Sequence, residues 1–160
     1  MVLTDATETP VERPKKKQKK CYSGKKKRHT LKSQITVDKE SKKVICTSFG
    51  NGKIHDFKLY KDSHIAIHPE IKSVNDSGYQ GLQKIHANTE LPIKKRKKYS
   101  LSRDDKEYNK KLASERSLNE NVIASIKKFK IVSDRYRNRR RRFGLRFNLI
   151  CGIYNWELKN

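Results

Sequence analysis

Four runs of basic residues partition this chain. Lys15 to Lys20 reads KKKQKK, Lys25 to Arg28 reads KKKR, Lys94 to Lys98 reads KKRKK, and Arg135 to Arg142 reads RYRNRRRR. Charge at this density stays in water, so any core has to come from the stretches between the runs. The 160 residues hold 40 Lys+Arg against 17 Asp+Glu, a formal net charge of +23, and only 33% are hydrophobic. Such a field attracts polyanions, of which nucleic acid is the commonest large one. Each run neutralises phosphates by counterion release, without sequence preference. Tyr22, Tyr99 and Tyr136 stand beside three of the runs and could stack on an exposed base.

Several classes fall away on the same arithmetic. No stretch approaches the ~20 apolar residues of a membrane span. The start, MVLTDATETPVERPKKK, lacks the apolar centre of a signal peptide. Cys21, Cys46 and Cys151 are an odd number at wide spacing, which argues against a disulfide framework or a structural zinc site. The length suits one domain. A ribosomal or chromatin-type binder would show the same numbers, so charge gives the partner and leaves the task open.

The segments between the runs carry ordinary folding signals. HTLKSQITVD, from His29 to Asp38, alternates with Leu31, Ile35 and Val37 on one side, as a strand does. A polar turn, DKESKK, leads to a second strand at Val44 to Phe49, so the pair predicts a hairpin. HDFKLYKDS predicts a short helix, and Ile71 to Asn75 a brief strand that leads into DSGYQGL. The stretch from there to about Asp105 reads as basic loop. A long helix is predicted from Tyr108 to about Val132, with Leu118, Val122, Ile126 and Phe129 at helical spacing. A last helix carries Phe143, Phe147, Ile150 and Tyr154 on one face. The lone histidines His64, His68 and His86 read as surface residues. A central sheet flanked by helices is the economical arrangement.

In so basic a chain the acids in polar, Gly-rich settings at strand ends are the informative ones. Asp5 follows MVL, Asp76 opens DSGYQG, and Glu120 lies within the long helix. Two or three carboxylates can hold Mg²⁺, which takes hard oxygen ligands and keeps several waters. A pair of such ions on a phosphodiester activates the attacking oxygen and stabilises the leaving one. On a helix Arg116, Glu120 and Lys127 fall within about 40° of one another. That stripe equally describes a solvated helix face.

The residues also resemble a known family. DATETPVERPKKKQKKCYSGKKKRHTLKSQ, ICTSFGNGKIHDFKLYKDS, NDSGYQGL and RSLNENVIASIKKFKIVSDRYRNRRRRFGLRFNLICGIYN follow one another as in insertion-sequence transposases of the DDE type. The closest group is the IS-five-like one, related to Harbinger elements. Arg116, Glu120 and Lys127 resemble its R-x₃-E-x₆-K signature, and Asp76 to Tyr79 its D-x-G-Y segment. The resemblance implies an α/β, RNase H-like fold, with a mixed sheet flanked by helices, as a single catalytic domain over residues 1–160. Its Arg-rich segment and helix would occupy residues 135–160. It implies Asp5, Asp76 and Glu120 as catalytic, metal-holding acids on the first strand, the end of the fourth and a late helix. Asp56 is the rival second acid. Asp76 is preferred because a strand leads into it, whereas Asp56 begins a helix, where Asp is an ordinary N-cap.

The implied cofactor is Mg²⁺ or Mn²⁺, and the implied reaction is strand cleavage at the element's terminal repeats, then strand transfer into target DNA. The expected DNA contacts are Lys15, Lys16, Lys17, Lys25, Lys26, Lys27, Arg28, Arg116, Lys127, Arg139, Arg140, Arg141 and Arg142. The setting would be bacterial, cytoplasmic and nucleoid-associated, with an oligomer on DNA and no membrane. The family's helix-turn-helix segment normally precedes the first Asp, and here Met1 stands four residues before Asp5. The expectation is an N-terminally truncated domain, with a first strand short of its outer residues and a separate upstream helix-turn-helix polypeptide. Alternatives are a non-catalytic remnant that only binds DNA, or an unrelated basic nucleic-acid-binding protein.

Overall fold

The stretches between the basic runs assemble on one mixed sheet. A computed structural model describes all residues except 17, 96–99, 159 and 160. Lys17, Tyr99 and most of the third basic run therefore lie outside the described residues. Strand β1 (Val2–Pro10) is central and far longer than MVLT alone suggests. It pairs antiparallel with β3 (Arg28–Asp38) from Val2↔Asp38 to Pro10↔Thr30. Nine residues of ladder thus carry Asp5. β3 also pairs with the short β2 (Tyr22–Ser23) and, in the expected hairpin, with β4 (Val44–Asn51). On the other side of β1 lie β5 (Ser73–Asn75) and β6 (Thr89–Glu90), both parallel. Counting the two-residue β2, Asp76 follows the fifth strand rather than the fourth.

Alternation along β3 divides the core. Leu31, Ile35 and Val37 face one way and pack with Val122, Ile126, Val132, Phe143, Phe147 and Ile150. Lys32 and Gln34 face the other, toward α2 (Asp56–Asp62) and a 3-10 turn at Ser77–Tyr79. There Tyr60, Tyr79, Leu82 and Leu91 form a second cluster. Helices therefore cover both faces. The short α1 (Gln18–Cys21) lies against β3 and buries Cys21.

The long helix differs from its expected span. α3 runs over Arg103–Ile126, beginning earlier because Ser102 and Asp105 form a capping box. Ser102 Oγ accepts from the Asp105 amide at 3.0 Å, and the Asp105 carboxylate accepts from the Ser102 amide at 3.1 Å. It stops at Ile126 because Phe129 turns the chain into a separate α4 (Lys130–Ser133), which buries Val132. Thr9 Oγ1 on β1 donates to the Val132 carbonyl at 2.7 Å and fixes that turn. α5 (Phe143–Glu157) buries Phe143, Phe147 and Ile150 as expected.

Two side chains read as surface groups are core. His86 is buried, with Nε2 2.9 Å from the Ile71 carbonyl. Tyr136 is 3% exposed, bridges Val11 and sits edge-on to Phe143 at 5.1 Å, so it offers no face to a base. Tyr22, at 42%, does.

Candidate active site

The parallel register of β1 and β5 pairs Thr4 with Asn75. Asp5 is the next residue of β1 and Asp76 the residue that directly follows β5, so two acids distant in sequence come together where neighbouring strands lie ~4.8 Å apart. Alternation puts Asp5 on the face of Leu3, which packs against α3 through Leu112. Asp5 is half-buried, and its carboxyl is pushed up from 3.8 to about 6. Burial is the main cause. The Ala6 amide, donating to Asp5 Oδ1 at 2.7 Å, and Arg116 oppose it, while Asp76 and Asp56 add to it.

Asp76 caps the turn that follows it, accepting from the Ser77 amide. Arg116, reaching over from α3, sets Nη2 3.4 Å from Asp76 Oδ1. Tyr79, fully buried, anchors the turn from below with its hydroxyl 3.3 Å from Gln34 Oε1. Its phenol is held well above its ordinary range, first by burial and then by Asp56, Asp5 and Asp76 around it. The D-x-G-Y segment thus has a local logic: Asp caps, Tyr anchors, and Gly gives room. A Cβ on Gly78 would lie 2.6 Å from Asp56 Oδ2.

Asp56 is not the N-cap expected of it. His55 holds that position and Asp56 is the first helical residue. Lys32 Nζ donates to Asp56 Oδ1 and to the Ile54 carbonyl, both at 2.7 Å. This ion pair, with the lysine side chain 10% exposed, wedges Asp56 beneath the turn. Sequence reasoning missed Lys32; its only signal is a charge at a non-apolar position of the strand.

Glu120 is the third acid of the expected set. It lies one turn beyond Arg116 on α3 and is exposed, without an ion pair among the described residues. Among those residues, no three His, Cys, Asp or Glu side chains converge closely enough to enclose a metal ion. The chemistry of Asp5 and Asp76 still fits a hard divalent cation. Mg²⁺ is typically bound through one or two carboxylates and completed by phosphate and water.

The basic runs converge in space. Lys15, Lys16, Lys25 to Arg28 and Arg139 to Arg142 are exposed, while Arg116 and Lys127 are half-buried. Arg140 Nη1 lies 3.3 Å from Cys21 Sγ, bringing the last run against the first. Lys127, at the C-cap of α3, donates to the Glu8 carbonyl of β1 at 3.2 Å. Burial, Lys26 and Arg28 hold its ammonium below the ordinary range, against the pull of Glu8. The second run therefore meets the end of α3 on the strand that carries Asp5.

The family profile described as DDE superfamily endonuclease matches residues 4–155 of this fold, nearly the whole chain. The chain belongs to the DDE superfamily endonucleases. A curated relative, the "Probable transposase for insertion sequence element IS702" of Microchaete diplosiphon, is 50% identical over 158 residues. That alignment covers 99% of this chain and 57% of the relative, so the chain spans little more than half of that protein's length. No solved structure matches. The mixed sheet flanked by helices is consistent with the RNase H-like fold expected of a DDE superfamily endonuclease. No helix among the described residues is long and apolar enough to cross a membrane.

Proposed function

We propose that the chain acts as one transposase catalytic domain that cuts DNA at the ends of an insertion sequence and joins them to a target. The observation that carries this reading is the register-fixed pair Asp5 and Asp76 on a basic face. Asp5 and Asp76 would hold a divalent cation, with Glu120 as the third acid. Such a cation, when bound, polarises the phosphodiester and lowers the pKa of an attacking water. Arg116 keeps Asp76 oriented and offers its remaining donors to a phosphate oxygen, as the guanidinium fork allows. Lys127, anchored on Glu8, adds a point charge beside Lys26 and Arg28. Asp56, neutralised by Lys32, serves as a support for the Asp76 turn. The domain would work in the bacterial nucleoid, as an oligomer on DNA, with a helix-turn-helix polypeptide reading the terminal repeats.

The test is nicking of supercoiled DNA bearing the terminal repeats, with Mg²⁺ or Mn²⁺, by the chain alone and joined to that upstream polypeptide. Asp5→Asn, Asp76→Asn and Glu120→Gln are expected to lose activity, and Asp56→Asn to keep it in part. Absence of nicking in both forms sinks the enzyme reading and leaves a DNA-binding remnant. Nicking by Asp76→Asn but not by Asp56→Asn reassigns the second acid.

A further inference from the structure

A cleft of about 1050 Å³ opens between α1, the end of β4 and the start of α5. Its floor is apolar, with Phe49, Ile54 and Phe143. The Phe49 ring is braced edge-on by Phe143 and Phe147 at 5.9 and 5.5 Å, and Gly144 lets it lie against α5, since a Cβ there would come within 2.8 Å of the ring. The rim is cationic, with Lys16, Lys20, Arg140 and Arg141. No carboxylate is among the described residues lining it. Asn51, on the wall, adds an amide of the kind that hydrogen-bonds a base edge.

Positive charge alone suits the backbone of any duplex. An apolar, aromatic floor beneath it does not, because a stacked and paired base presents no face to it. A braced aromatic ring under a cationic rim is the combination that holds single-stranded nucleic acid, the ring stacking a base and the rim tracking phosphates. We propose that this cleft takes an unpaired nucleotide of the DNA, its base on Phe49 and its phosphates on Lys16, Lys20, Arg140 and Arg141. Leu31, in the same cleft, pairs with Thr9. That places the cleft about 13 Å along β1 from Asp5, at ~3.3 Å per residue. A strand opened near the acids is then caught before it re-pairs. The inference rests on the DNA reading given above.

The test compares a duplex with the same duplex carrying a short central mismatch, equal in phosphates, by fluorescence anisotropy at fixed salt. The mismatched DNA should bind about fivefold tighter, the low end of what stacking one base supplies. 5-Iododeoxyuridine in the mismatch should crosslink to the peptide containing Phe49. Lys16→Glu with Lys20→Glu should abolish the preference, whereas Lys25→Glu with Lys26→Glu should weaken both DNAs alike and keep it. Equal binding of the two DNAs, or crosslinks mapped outside the cleft, overturns the proposal. Displacement of the mismatched DNA by an acidic, phenylalanine-bearing peptide as readily as by unlabelled DNA also overturns it, assigning the cleft to a protein partner. Failure to bind either DNA overturns the DNA reading itself.

Discussion

Asp5 is an acid of the candidate site whose ionisation the fold opposes. A carboxyl raised from 3.8 to about 6 keeps its proton in the folded chain after the unfolded chain has lost it. The contribution of Asp5 to stability is therefore fully present below about pH 4 and is lost as pH rises through the window from 3.8 to about 6. The full effect is on the order of 3 kcal/mol. Asp5→Asn should raise the melting temperature at pH 7 to 8 and converge with the parent near pH 4, followed by circular dichroism. A second misfit is Asn119, buried on α3 with neither amide atom hydrogen-bonded among the described residues. Asn119→Leu, with the same branched shape, should stabilise by about 1–3 kcal/mol, the cost of leaving such a group unsatisfied, as read from urea unfolding. Asp5 was legible as a candidate because it follows an apolar run, but its strain comes from neighbours on other strands.

At the scale of elements, the turn after β5 shows how supports were hidden. Gly78 clears Asp56, and Asp56 cannot retreat because Lys32 holds it. Gly78→Ala should therefore move the Asp76 turn, lowering nicking by about a hundredfold, as an ångström-scale misplacement does, with a smaller loss of stability. An equal fall in activity and in folded fraction would refute this. The hairpin of β3 and β4, the short α2, the strand before Asp76 and the last helix were all legible, because each has its own period or turn signal. β1 was legible only at its first residues. DATETP carries no apolar alternation, and its extended form is imposed by nine residues of pairing with β3. The break after Ile126 was hidden for the converse reason: helical periodicity continues through Phe129, while packing on Thr9 ends the helix. The pairs Lys32–Asp56 and Arg116–Asp76 join elements distant in the chain, which no local pattern encodes.

Over the whole molecule, the charge of +23 and the folded topology act together. The first and last basic runs close on one cleft, and the second meets Lys127 beside β1. A DNA lying across these sites touches many phosphates at once. With about 6–10 contacts, affinity should fall by roughly 10³–10⁵ between 50 and 200 mM salt, measured by anisotropy; a flat response would show that the runs do not carry the binding. The ladder joining β1 to β5 has a different consequence, for how the chain tolerates change. Thr4 and Asn75 are tied through the backbone, with the Val2 amide on the Lys72 carbonyl at 2.9 Å, so the spacing of the acids does not depend on the length of chain between them. Residues added to the β3–β4 turn leave the pair where it is. A single residue lost among Val2 to Thr4 shifts Asp5 by one position against β5 and turns that carboxylate to the opposite face of the sheet. Drift in length is therefore tolerated in the turns between the two acids and ruinous over the few positions that precede the first.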